Sequence, residues 1–322
     1  MGYRKKLRIV LGILKDKGTL IKTTLSPKRQ KSSIRRVILR ATTHGSTAPP
    51  SGHRIAAAIS LGHGSRATAC ACIQALMDRL HHTSSASVAL KCLYIIHNII
   101  GKGSFILKDQ LSIYPCFGGR NFLNLSMFRD DSDSETWEIS TWVRWYAGIL
   151  EQNLMVSRIL GYHLYSSRAK NDSSKKDKIL AFSNSDLLKE IDFLVDFADQ
   201  VGNAPNSLYL QRKILVHEVV RLVSEDYRLV QREMSLRVAE LGLRMMSLSF
   251  SDCTQFLNSL NRFEDCKERT CSLLVNRNRN DDLWDSMKET KAKVSVMMME
   301  KKEGKMFPLL TEFSQLFPLV GF

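Results

Sequence analysis

Basic side chains are concentrated in the first sixth of the chain, and this feature has the clearest chemistry in the sequence. Residues 1–54 contain fourteen Lys or Arg residues and one acid, Asp16, whereas the rest of the chain is almost balanced. Nearly all of the net charge of +15 therefore lies at the N-terminal end. Clustered cations attract polyanions, so the sequence predicts an anionic bilayer or a nucleic acid as partner. A basic arm that only increases solubility remains an alternative.

The sequence contains none of the short patterns that mark common catalytic or nucleotide-binding sites. The patterns GxxxxGK[ST], GxGxxG, GxSxG and HExxH are all absent. Four acids, Asp130, Asp131, Asp133 and Glu135, offer oxygen ligands for a metal ion. They precede a helical segment, however, where carboxylates cap backbone N–H groups. The sequence therefore predicts no catalytic residue, no metal site and no cofactor, and a protein that is not an enzyme.

The cysteines and the apolar runs indicate where the chain functions. Seven cysteines follow no zinc-binding or redox spacing, which favours free thiols in a reducing compartment. The longest apolar run, residues 93–100, is interrupted by His97 and Asn98. It is much shorter than the ~20 residues of a membrane-spanning helix, so we expect any membrane contact to be peripheral.

The elements that must position the basic segment are predicted to be helices. Apolar residues recur at helical spacing along most of the chain, and no strand-like alternation occurs. The motif Ser132-x-x-Glu135 predicts a capping box, and the tryptophans that follow it are expected in the core. The patterns predict helices at 7–25, 32–39, 55–61, 66–80, 87–100, 135–164, 187–201, 207–250 with a break near Gly242, 252–276 and 282–299.

These segments together predict an all-α protein, a superhelix or solenoid of about eight to ten helices with no sheet. We expect three regions along the chain. Residues 1–165 form an N-terminal helical part with the basic segment, residues 166–178 form a polar linker loop, and residues 179–322 form the C-terminal helices. The apolar residues 307–322 are expected to pack back onto the body.

Several segments resemble a known family. Arg40-Ala-Thr-Thr-His44, after a basic helix, resembles the phosphoinositide-binding motif of the ANTH domain, which occurs in clathrin assembly proteins and is related to the ENTH domain of epsins. Residues 88–97 and 123–130 resemble the same family, and residues 61–67 and 118–124 resemble its plant branch. The later helices fit the long ANTH superhelix better than the compact ENTH bundle.

The resemblance implies both a fold and a function. The fold is a right-handed α-superhelix, and the function is docking on membranes that contain phosphatidylinositol 4,5-bisphosphate. The resemblance also implies recruitment of clathrin in endocytosis, directly or through other adaptors, and capture of a vesicle SNARE helix in some members. The implied location is the cytosolic face of the plasma membrane, the Golgi and clathrin-coated pits and vesicles.

The candidate site residues follow from the family's lipid motif, in which a Lys precedes, by about ten residues, a Lys-rich run that ends in His. Arg40 stands at the first position and His53 at the last, but Pro49-Pro50-Ser51-Gly52 replaces the Lys-rich run. Neighbouring cations are candidates to replace the missing charge. The predicted phosphoinositide-binding residues are therefore Arg40, His53, Arg54, Lys28, Arg29, Lys31, Arg35 and Arg36.

Two other functions remain open at the level of the sequence. A helical scaffold for a SNARE or another protein would make only nonspecific lipid contacts. Nucleic-acid binding through the basic segment is less favoured, because Tyr3 is the only aromatic residue before Tyr94 and unpaired bases stack on aromatic rings. Selectivity for an inositol headgroup would distinguish these functions from the first.

Overall fold

The computed structural model describes residues 3–25, 29–44, 47–113, 122–165, 172–271, 273 and 281–302. Within these ranges the chain forms thirteen α-helices with short 3-10 turns and no strand, which confirms the all-α prediction. The helices are α1 Tyr3–Leu25, α2 Arg29–Ala41, α3 Gly52–Ser60, α4 Arg66–His81, α5 Ala86–Lys102, α6 Phe105–Ile113, α7 Ser134–Leu160, α8 Asp172–Ala181, α9 Asn184–Gly202, α10 Leu208–Gln211, α11 Ile214–Leu243, α12 Phe250–Cys271 and α13 Asp281–Lys302. None of them is both long and apolar enough to cross a bilayer.

Helix α5 lies at the centre of the N-terminal part and is covered on every side. Fourteen of its 17 residues are buried, because α3, α4, α6, α7 and α11 all contact it. A helix that is apolar around its whole circumference must be buried in this way. Helix α7 also packs on α9, and α9 packs on α11 and α12, so one apolar cluster continues from α2 to α13.

Two helices in the structure, α6 and α8, are absent from the sequence prediction, and the predicted 207–250 helix is divided into α10 and α11 at residues 212–213. Helix α8 occupies most of the predicted 166–178 linker loop, so that part of the loop prediction is wrong. The side chain of Arg244, at the end of α11, donates hydrogen bonds to the carbonyls of Ile179, Leu180 and Phe182. Arg244 thus provides hydrogen-bond donors for the carbonyls at the end of α8. The polar sequence of α8 alone does not indicate this distant partner. Residues 166–171 and 307–322 lie outside the described residues, and the division into regions stays a prediction.

Two local predictions at the start of α7 are also corrected. The N-cap is Asp133 rather than Ser132, because Asp133 accepts a hydrogen bond from Thr136 N (2.8 Å) and the Thr136 hydroxyl accepts one from Asp133 N (3.1 Å). Trp142 and Trp145 are buried as predicted, but Trp137 is 48% exposed. The Arg129 guanidinium lies over its ring at 5.4 Å, which places this indole in a surface cation–π contact.

Buried polar and charged side chains connect the helices across the core. His97 of α5 has Nε2 3.1 Å from Asp226 Oδ2 of α11 and Nδ1 2.9 Å from the Tyr146 hydroxyl of α7. Farther along α11, Arg237 donates to Glu190 of α9 at 2.7 Å and to Glu233 at 2.8 Å. All of these side chains are buried. Such pairs fix which helix faces meet, since each charge would be very costly without its partner.

The Arg237 pair gives a direct test of the packing of α9 on α11. Replacement of Arg237 by Ala leaves the carboxylates of Glu190 and Glu233 buried without their cation, so we expect the free energy of unfolding to fall by about 3–5 kcal/mol. Arg262→Ala is the matched control, because Arg262 pairs with Asp196 and Asp199 but is largely exposed, and should cost at most about 1 kcal/mol. Urea unfolding measures both variants, and equal losses would contradict this account of the core.

Candidate functional site

Helix α1 has two faces that differ in burial. Its inner face carries Ile9, Gly12, Ile13, Asp16 and Leu20, which are buried or half-buried and recur every three to four residues. Its outer face carries five large apolar side chains that are 49–61% exposed. These residues, here called the outer stripe, are Leu7, Val10, Leu11, Leu14 and Ile21.

Cations border the outer stripe along both sides. At about 100° per residue, Lys6 and Lys17 lie on one side of the stripe. Three further cations, Arg8, Lys15 and Lys22, lie on the other side, and all five side chains are exposed. An exposed apolar stripe between rows of cations is typical of a helix that lies in the surface of an anionic bilayer.

The inner face of α1 is held by Asp16, the only acid in residues 1–54. Its carboxylate lies 2.8 Å from His44 Nδ1, accepts a hydrogen bond from His44 N at 3.1 Å and accepts another from Arg79 of α4 at 2.8 Å. Burial alone would raise the pKa of Asp16, but the His44 hydrogen bonds and the Arg79 charge lower it below its ordinary value. Asp16 is therefore charged at neutral pH and joins α1 to two other parts of the chain.

The motif Arg40-Ala-Thr-Thr-His44 forms the turn on which these contacts converge. Arg79 donates to the carbonyl of Thr42 at 3.0 Å, and the buried Lys91 of α5 donates to the carbonyl of Thr43 at 2.7 Å. His44 provides the contact with Asp16. The turn thus links α1, α2, α4 and α5, so much of this motif has a structural role that the sequence alone did not indicate.

The structure separates the predicted lipid-binding residues into groups. Arg40 is exposed at the end of α2, and His53 and Arg54 are exposed in the first turn of α3, which packs on α2. On α2, Lys31 and Arg35 share one face, whereas Arg36 and Arg40 lie on nearly the opposite one. Lys28 lies outside the described residues, and Arg29 is placed only as the first residue of α2.

A cavity of about 300 Å³ lies between α1, the turn and the start of α5. Its lining includes three cations, Arg8, Lys15 and Arg79, and the hydroxyls of Ser84 and Ser87. Leu11 belongs both to this lining and to the outer stripe, so the cavity opens beside the stripe. The lining also includes Asp130, whose carboxylate already accepts a hydrogen bond from Ala86 N at the start of α5, so the cavity contains side chains of both charges.

The four acids considered as metal ligands have other partners. Asp133 caps α7, Asp130 accepts a hydrogen bond from Ala86 N at 2.9 Å, and Glu135 pairs with Lys213 at 2.9 Å. Asp131 pairs with Arg8 at 2.8 Å. In the part of the chain that the structure describes, no three His, Cys, Asp or Glu residues are placed to share a metal ion.

Comparison of the sequence with known proteins identifies a matching family and several relatives. The model of the ANTH domain matches residues 33–275. The Arabidopsis thaliana protein named "Putative clathrin assembly protein At4g40080" is 40% identical over 298 residues, which cover 90% of this chain and 82% of that protein. A second Arabidopsis thaliana protein, "Putative clathrin assembly protein At5g10410", is 28% identical over 92% of this chain and 87% of its own length.

The buried Lys91 gives a pH-dependent prediction for the turn. The pKa of Lys91 is lowered from 10.5 to about 8, chiefly because the side chain is buried and secondly because Arg54 repels its charge. Between these two values the unfolded chain binds a proton that the folded chain has released, so the contribution of Lys91 to stability rises with pH. We expect the free energy of unfolding of wild type, relative to Lys91→Met, to increase by about 1 kcal/mol between about pH 7.5 and 9. Urea unfolding at both pH values measures it, and a constant difference would contradict the assignment.

Proposed function

The chain belongs to the ANTH domain family, and we propose that it is a peripheral adaptor that binds anionic, phosphoinositide-containing membranes through α1 and the basic residues around it. The observation that carries the proposal is the outer stripe with its two rows of cations. Exposure of five large apolar side chains to water on one helix face is unfavourable. In a bilayer the same side chains are buried at the boundary between lipid headgroups and acyl chains.

The outer stripe and the cations are expected to contribute to the free energy of membrane binding in different ways. Each Lys or Arg near an anionic leaflet contributes about 1 kcal/mol, a contribution that salt screens. Burial of apolar side chains in the bilayer adds roughly 25 cal/mol per Å² and depends little on salt. The stripe therefore supplies adhesion, while headgroup selectivity depends on cations such as Arg40, His53 and Arg54.

The proposed setting is the clathrin-coated vesicle. The names of the Arabidopsis relatives support a role in clathrin assembly, and the family resemblance supports the plasma membrane and Golgi as locations. Clathrin, bound directly or through other adaptors, and a vesicle SNARE helix are the proposed protein partners. No catalytic activity is part of the proposal.

Liposome co-sedimentation tests the proposal. At near-physiological salt we expect wild type to pellet with liposomes containing phosphatidylinositol 4,5-bisphosphate more than with charge-matched phosphatidylserine, and least with neutral phosphatidylcholine. Leu14→Glu/Ile21→Glu places two carboxylates on the outer stripe and should weaken binding to both anionic liposomes at least about tenfold. Leu243→Glu is the matched control, because Leu243 is also exposed but lies at the end of α11.

The predicted lipid motif needs its own variant in the same assay. Arg40→Glu/His53→Ala should remove the preference for the phosphoinositide while leaving the binding that the stripe provides. Equal pelleting of wild type with both anionic lipids would instead indicate a protein-binding scaffold with nonspecific lipid contact. Pelleting no better than with neutral liposomes would contradict membrane binding altogether.

A further inference from the structure

Besides its packing on α2, helix α1 has two polar attachments to the body in the part of the chain that the structure describes. Arg8 donates to Asp131 at 2.8 Å and to Ser132 at 2.9 Å, just before α7. Eight residues later, about 12 Å along the helix, Asp16 contacts His44 and Arg79. We propose that these attachments lock α1 onto the lipid-free protein with the outer stripe facing solvent, and that Asp16 is the residue that positions it.

The sequence of α1 does not stabilise a helix well by itself. It contains Gly12 and Gly18, each of which destabilises a helix interior by roughly 1 kcal/mol relative to Ala, and it has no acid in its first turn. Most of the stability of a helix in a protein comes from packing of its amphipathic face on the rest of the chain rather than from its own propensity. The order of α1 therefore depends on its contacts with the body, and the two attachments are the ionic contacts among the side chains of α1 that the structure describes.

Asp16 is the stronger of these two attachments. Its side chain is 7% exposed, whereas Arg8 of the other attachment is 48% exposed and its closest anion, Asp131, is 72% exposed. The buried Asp130 lies farther from Arg8, at 3.5 Å. Without the Asp16 carboxylate, Arg79 Nη2 and His44 Nδ1 would remain 3.3 Å apart with no anion between them. Removal of one partner from such a buried group is much more costly than loss of an exposed ion pair.

Gly12 shows how closely the helix must approach the turn. A Cβ atom at this position would lie 2.5–2.9 Å from three atoms of the His44 ring, and that ring is itself held by Asp16. Gly18, six residues later on the same helix, has no atom within 4 Å of its Cβ position. Replacement of Gly12 by Ala should therefore disturb the contact between Asp16 and His44, whereas the matched replacement of Gly18 should not.

Hydrogen–deuterium exchange of the full-length, lipid-free protein tests the lock. We expect the amides of α1 in wild type to be protected, and Asp16→Ala and Gly12→Ala each to lower that protection at least about tenfold. Gly18→Ala and Asp109→Ala should leave it unchanged or higher; Asp109 pairs with Arg66 away from α1. The amides of α5 and α9 report whether each variant is folded. Exchange of wild-type α1 at the rate of a free peptide would overturn the proposal, whatever the protein does with lipid.

A second measurement rests on the proposed function and separates a positioning role from a merely structural one. Anionic liposomes should produce no gain of helix in wild type by circular dichroism, because the 23 residues of α1 are already helical. Asp16→Ala should gain helix on the same liposomes, because its released α1 refolds on the membrane. An equal gain in wild type would contradict the preformed surface, whereas absence of liposome binding in both would contradict only the proposed function.

Discussion

The burial of α5 on every side is the constraint on which most of the structure depends. This helix carries Lys91, His97 and Asn98 into the interior, and each of their polar groups needs a partner inside the protein. Lys91 finds the carbonyl of Thr43, His97 finds Asp226 and Tyr146, and the Asn98 amide donates to the carbonyl of Tyr94. The contact of Lys91 with Thr43 positions the turn after α2 near the start of α5. The contact of His97 with Asp226 positions α11 near the end of α5.

The burial of α5 also determines the position of α1 at the surface, through the turn at residues 42–44. Because Lys91 and Arg79 hold its carbonyls, the His44 ring and backbone N–H are presented to α1 in a fixed position. The outer stripe is then exposed because the opposite face of α1 is occupied by the turn. The orientation of the proposed membrane-binding surface thus depends on hydrogen bonds in the interior of the protein.

Much of the fold could be predicted from the sequence because helical periodicity is a local property. The helices α4, α5 and α9 have apolar residues at regular spacing, and their predicted and observed limits agree within a few residues. Helix α8 could not be predicted, because it is polar and its end is satisfied by Arg244, more than 60 residues away. Trp137 was expected in the core because it lies at helical spacing with Trp142 and Trp145, but its side chain is 48% exposed.

The predicted site stays a prediction, and the sequence indicates its charge but not its geometry. The charge of residues 1–54 indicated an anionic partner, but the outer stripe depends on which face of α1 meets the body, and that is a tertiary property. Asp16 was visible as a lone acid among fourteen basic residues, and this unusual position was the available signal. Its partners His44 and Arg79 lie 28 and 63 residues away and could not be read from sequence spacing.

The pair between His97 and Asp226 also constrains how the protein is made. The ribosome completes α5, α6 and α7 before Asp226 has been synthesised, so the newly made N-terminal part has no anion for His97. Its α5 lacks the cover of α11 during that interval and exposes apolar surface that the finished protein buries. Chains longer than about 100–150 residues commonly fold through such partly covered intermediates. The closing of the helical stack around α5 therefore depends on α11 and is a late event in synthesis.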